Sequence, residues 1–128
     1  MPRNPEKIIT NSLVVKNNTV LDDISLTKST ITQGTSTTTG VSINSPAGFI
    51  YTFTTGTIAT SGSAAFTVTN SVVSAESIVF TSIANYTGSA TPQARITSVT
   101  QGSFGIKITN LDATNAIAGS LKLAYTIF

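Results

Sequence analysis

From about Gly48 onward the chain alternates apolar and polar side chains with a period of two, the signature of strands buried on one face. GFIYTFTT (48–55) sets Phe49, Tyr51 and Phe53 on one side and Ile50 on the other. SAAFTVTN (63–70) alternates Phe66 and Val68 with threonines. GSFGIKITN (102–110) alternates Phe104, Ile106 and Ile108 with Gly105, Lys107 and Thr109. SLKLAYTIF (120–128) alternates Leu121, Leu123, Tyr125 and Ile127 with Lys122, Ala124 and Thr126. QARITSVT (93–100) carries Ile96 and Val99 out of phase with each other. SIVFTSIA (77–84) is nearly continuous in apolar side chains and reads as a strand buried on both sides. Turn formers separate these runs: Thr60-Ser61-Gly62, Tyr86 to Ser89, Gln101-Gly102 and Asp112 to Asn115. Short strands with no helical period between them predict an all-β chain, an antiparallel β-sandwich, with Phe66, Phe80, Phe104 and Ile106 in its core.

The first forty-odd residues read differently. Short extended pieces, SLVVK, VLDDISL and STITQ, follow one another with polar breaks, and their apolar positions are thin. One copy of such a segment does not offset its own ordering entropy, about 1 to 2 kcal/mol per residue, whereas several copies wound together supply one another's missing neighbours. The division expected is an extended arm or short shaft with a Thr-rich connector at 1–44, and a head at 45–128 that folds without it.

Composition sharpens this. Thr and Ser make up 40 of 128 residues and charged residues only 9%, against about 25% in ordinary soluble domains. β-branched Thr suits a pleated surface better than a helix. No run approaches the roughly 18 apolar residues of a membrane helix, so no membrane insertion is expected. Met1 to Lys7 is not followed by the apolar stretch of a secretory leader, which makes the NNT and NYT acceptor patterns at Asn17 and Asn85 idle. The net charge of +2 is too small and scattered to imply a nucleic-acid partner.

The chain has neither Cys nor His, which removes thiolate nucleophiles, the commonest general base and the commonest transition-metal ligands. Paired-carboxylate hydrolysis needs two acids facing each other. The five acids are Glu6, Asp22, Asp23, Glu76 and Asp112. The adjacent pair points to opposite faces of a strand, and the others read as turn residues. Nor do they cluster as a calcium loop requires. Neither catalysis nor a cofactor is expected.

One stretch carries a resemblance. ITQGTSTTTGVSINSPAGFIYTFTTGTIATSGSAAFTVTNSVV (31–73), followed in order by SIVFTSIANYTG, GSFGIKITN and LKLAYTIF, resembles the C-terminal part of phage and large-virus fibre proteins. It extends over roughly residues 31–128 and lies in distributed strand motifs. The resemblance implies a jelly-roll-like β-sandwich head, trimeric, fed by a thin arm on the virion surface after assembly in the host cytoplasm. Only some thirty residues precede the connector, at most on the order of 100 Å when extended. A short capsid fibre or a capsid decoration protein fits that length.

Three sets of residues then become candidates. Arg3 and Lys7, between Pro2 and Pro5, would anchor the arm to capsid or other virion proteins. Gly34, Thr37, Gly40 and Val41 would lie where three chains cross into the head, the glycines supplying positive φ and the small side chains fitting beside a threefold axis. Asn85 and Tyr86, with Gln93 near them, would contact a host surface glycan if the head is instead a receptor-binding adhesin.

Overall fold

A computed structural model describes residues 27–128. Every regular element is a strand: β1 (Lys28–Thr32), β2 (Val41–Ser42), β3 (Ala47–Tyr51), β4 (Thr57–Ile58), β5 (Ser63–Thr69), β6 (Val79–Asn85), β7 (Pro92–Thr100), β8 (Ser103–Asn110), β9 (Ile117–Ala118) and β10 (Lys122–Ile127). The all-β expectation holds. Two four-stranded sheets run in the orders β1-β3-β10-β6 and β2-β5-β8-β7, and β4 pairs with β9 in a small third sheet.

The pairing is mixed where a fully antiparallel one was expected. β1 lies parallel to β3, and β2 parallel to β5; the other ladders are antiparallel. Parallel neighbours cannot be joined by a tight hairpin. Here the connector after Thr32 carries the chain from the first sheet to the second, so consecutive short strands enter different sheets.

Both large sheets turn one face onto a common core. The first contributes Ile50, Leu123, Tyr125 and Ile127, the second Phe66, Val68, Phe104, Ile106 and Ile108. Phe104 and Tyr125 meet between them, ring centroids 5.5 Å apart. The period-two reading of β5, β8 and β10 is therefore correct in face as well as spacing, with Phe66, Phe104 and Ile106 buried. In β3 the alternation is right but Ile50 faces inward, and Phe49 and Tyr51 stand half-exposed on the outside.

The phase slip in β7 has a local cause. Ile96 pairs with Ile106 and Ser98 with Gly105, so Thr97 is an extra residue, a β-bulge that returns Val99 to the inner face. The hairpin from β7 to β8 turns through Gly102, whose φ of 85° is a left-handed value glycine adopts without steric cost.

Two expectations are corrected. β6 is an edge strand whose exposed and half-buried residues alternate. Phe80 is 61% exposed and Ile78 59%, so SIVFTSIA is not buried on both sides and Phe80 is not core. Without a neighbour beyond β6, the outward side chains of this edge have nothing to cover them. The division at 44/45, in turn, falls inside one body. β1 and β2 precede it yet pair with β3 and β5, and Val41 and Ile43 belong to the core.

Candidate functional site

The outer face of the first sheet is built from positions that alternate with the core. Reading across its strands in register, Thr30 of β1, Phe49 of β3, Ala124 of β10 and Ser82 of β6 form one row. Lys28, Ala47, Thr126 and Phe80 form the next. Small residues at Ala124, Ser82 and Thr126 leave a depression of about 260 Å³ between β6 and β10, bordered by Phe80. Larger side chains frame this floor.

On one flank Phe80 packs edge-on against Phe128, their centroids 5.9 Å apart and their planes at 79°, the geometry aromatic quadrupoles favour. Phe128 is 71% exposed. It is held there because its backbone exchanges two hydrogen bonds with Ile78, of 2.8 and 3.0 Å, so the chain's last residue extends the ladder of β10 and β6. On the other flank Lys122 lays its ammonium over the Phe49 ring, 4.2 Å from the centroid, and 5.8 Å from that of Tyr51. This is a cation–π arrangement in which the aliphatic stem covers apolar surface while the charge stays in water.

The site is thus an apolar, aromatic-framed, cationic face. Ile78, Phe80 and Phe128 are adjacent, whereas the other large exposed apolar residues, Val72 and Leu111, follow the ends of separate strands. Scattered apolar residues are ordinary on a surface, but contiguous ones mark a contact site.

The residues expected to act are arranged otherwise. Arg3 and Lys7 lie outside the described residues, as do Asp22 and Asp23. In the connector, Gln33 is the organising side chain. Buried to 2% exposure, its amide donates to the carbonyls of Thr37 and Thr39, at 3.1 and 2.9 Å, and its oxygen accepts the Phe53 N–H at 3.1 Å. The hydroxyls of Ser36, Thr38 and Thr39 bond one another. Gly34 and Gly40 do not have the positive φ expected of them; Gly40 instead lies so close to β5 that a Cβ would stand 3.1 Å from the Thr67 carbonyl oxygen. Thr37 packs its methyl against Gly56, and Val41 is core.

Asn85 is exposed at the end of β6, and Gln93 is exposed on β7. Tyr86 folds its ring across Gly88 and packs against the core, half-buried.

Polar anchors that the alternation did not reveal sit at strand ends. Asn70 and Asn110 each follow a Thr that closes an outward face, and each side-chain oxygen accepts the N–H two residues on, from Val72 and from Asp112. The Asn70 amide donates to the Ser45 carbonyl, and that of Asn110 to the carbonyls of Ala59 and Asn115. The Tyr125 hydroxyl donates to the Ser45 carbonyl at 2.9 Å, and burial holds its pKa above the usual 10.0. Every buried polar side-chain atom among the described residues has a partner.

Among the described residues no three His, Cys, Asp or Glu side chains group as metal ligands would, and no helix is long and apolar enough to cross a membrane. Asp112 accepts from the N–H groups of Thr114 and Asn115, at 2.7 and 2.9 Å, which lowers its pKa from 3.8 to about 2. It fixes a turn. No protein-family model, curated protein or solved structure matches the chain.

Proposed function

We propose that this chain is a non-enzymatic structural protein of a virion surface, a homotrimeric short fibre head or capsid decoration protein anchored by its N-terminal arm. The observation that carries the reading is the outer face of the first sheet. Phe80, Phe128 and Ile78 stand there uncovered, in a protein with only 9% charged residues to keep it dispersed. A protein that leaves such a face bare associates with something. Copies of itself are the partner most consistent with a Thr-rich β head and with the resemblance to trimeric fibre heads. In this reading the two large sheets form a jelly-roll-like sandwich, and the role is mechanical: polar side chains that serve as fasteners rather than as reactants, and avidity supplied by joined arms.

A glycan-binding adhesin is the alternative. The same face favours it, since exposed aromatic rings beside Ser82 and Thr126 offer stacking and hydroxyl contacts to a sugar. Light scattering at micromolar concentration separates the two. The structural reading expects three times the chain mass of 13.2 kDa and no response to host polysaccharide. A stable monomer that binds such a polymer would reject it.

A further inference from the structure

We propose that residues 20–26 of one copy lie across the outer face of the first sheet of a neighbouring copy, with Asp22 meeting Lys122. This deepens the homotrimer reading and rests on it. The segment reads Val20-Leu21-Asp22-Asp23-Ile24-Ser25-Leu26. In an extended chain Val20, Asp22, Ile24 and Leu26 share one side. That side is apolar with one carboxylate, and the receiving face is apolar with one ammonium held among aromatics. Ile24 and Leu26 find the depression over Ala124, Ser82 and Thr126, beside Phe80 and Phe128.

Charge favours the match. Residues 27–128 carry Lys28, Arg95, Lys107 and Lys122 against only Glu76 and Asp112, and Asp112 is taken up by its own turn. The neighbours of Lys122 across the sheet are Tyr51 and Asn85, neither of them acidic. The arm supplies the acids. The outer face of the second sheet is a poorer receiver: Arg95 stands opposite Lys107 there, charged but without aromatic walls.

The direction of the chain points to a neighbour. Residues 20–26 run into Thr27 and then β1, and from Val20 to Thr32 the sequence has no Gly, Pro or Asn. Nothing there supplies the turn chemistry needed to fold the segment back over its own sheet. Continued along β1, it leaves its own head and reaches another.

Because the chain contains no cysteine, disulfide trapping tests the contact without background. The full-length variant Ile24→Cys/Ala124→Cys, oxidised mildly, should give covalent multimers on a non-reducing gel. Ile24→Cys/Ala65→Cys, with the second thiol on the outer face of the other sheet, should not. Lys122→Asp should reduce the trapped fraction at least several-fold, and adding Asp22→Lys should restore it. Light scattering of the same samples separates the two levels of the argument. A trimer that forms no trapped multimer, or only an intrachain bridge, overturns the contact and leaves the trimer standing. A monomer overturns both.

Discussion

Single side chains in this protein are legible by what they would lose. Asp112 is a carboxylate whose ionised form accepts bonds from Thr114 and Asn115 in the turn that follows β8. Its pKa falls from 3.8 to about 2 on folding, so the ionised form is the one the fold prefers. Its contribution is present above about pH 4 and is lost as pH falls through about 2. Asp112→Asn keeps an acceptor and removes the charge. Thermal midpoints measured between pH 5 and pH 2 should therefore decline less in the variant than in the wild type; parallel curves would show that the turn gains nothing from ionisation. Tyr125 has the opposite sign. Its raised pKa places the loss of stability on the alkaline side, above 10.

Phe104 and Phe80 are both strand phenylalanines, yet they predict opposite outcomes. Phe104, at 1% exposure between the sheets, should cost about 3 to 5 kcal/mol when cut to Ala. Phe80→Ala should cost the chain's own fold less than about 1 kcal/mol, as surface changes do. Urea unfolding of dilute protein would measure both, and equal costs would mean that β6 has a covering neighbour within the chain. The alternation revealed Phe104 because its strand has a polar side. It misread Phe80 because a continuous apolar run looks the same whether a second face is buried in the chain or kept for a partner. Ala124 was the available clue: an outward-facing Ala between Lys122 and Thr126 is a small floor rather than a solvating side chain.

At the scale of elements, the long antiparallel strands were readable and the short parallel ones were not. β5, β8 and β10 each run for six residues or more, enough for a period to declare itself, and the spacing of Ile96 and Val99 recorded the bulge in β7. β1 is mostly exposed and β2 has two residues. Their places are set by long-range pairing with β3 and β5 and by Gln33, whose polar side chain looks like any loop residue until its three partners surround it. The consequence is an altered expectation for truncation. A chain beginning at Ser45 loses β1, β2, Gln33, Val41 and Ile43. Burying Val41 and Ile43 alone is worth about 1.5 to 3 kcal/mol each, a large part of the 5 to 15 kcal/mol that holds a typical domain. A chain beginning at Thr27 should show a β-type circular dichroism spectrum with a cooperative thermal transition. The chain from Ser45 should melt at least 15 °C lower or not fold at all. Similar melting of the two would show the connector to be dispensable to the head.

For the whole molecule the open matter is how copies meet at the connector. Within one chain, residues 33–40 cross from the first sheet to the second, fastened by Gln33 and by hydroxyls bonding one another. The proposed threefold crossing requires a face of small side chains left over for other copies, and Gly34, Thr35, Thr38 and Gly40 are all exposed. Thr37 is a poor probe of that crossing, because its methyl packs on Gly56 and a tryptophan there would disrupt the head itself. Thr35 is the better one, being exposed on a turn with no side-chain bond to lose. If three copies converge there, Thr35→Trp must push them apart, whereas Thr60→Trp, exposed on a turn beside Ser61, meets only solvent. The temperature at which the trimer dissociates should fall by several degrees for Thr35→Trp and stay within about one degree of wild type for Thr60→Trp. Equal shifts would remove the connector from the assembly interface and leave it solely as the link between the two sheets of each head.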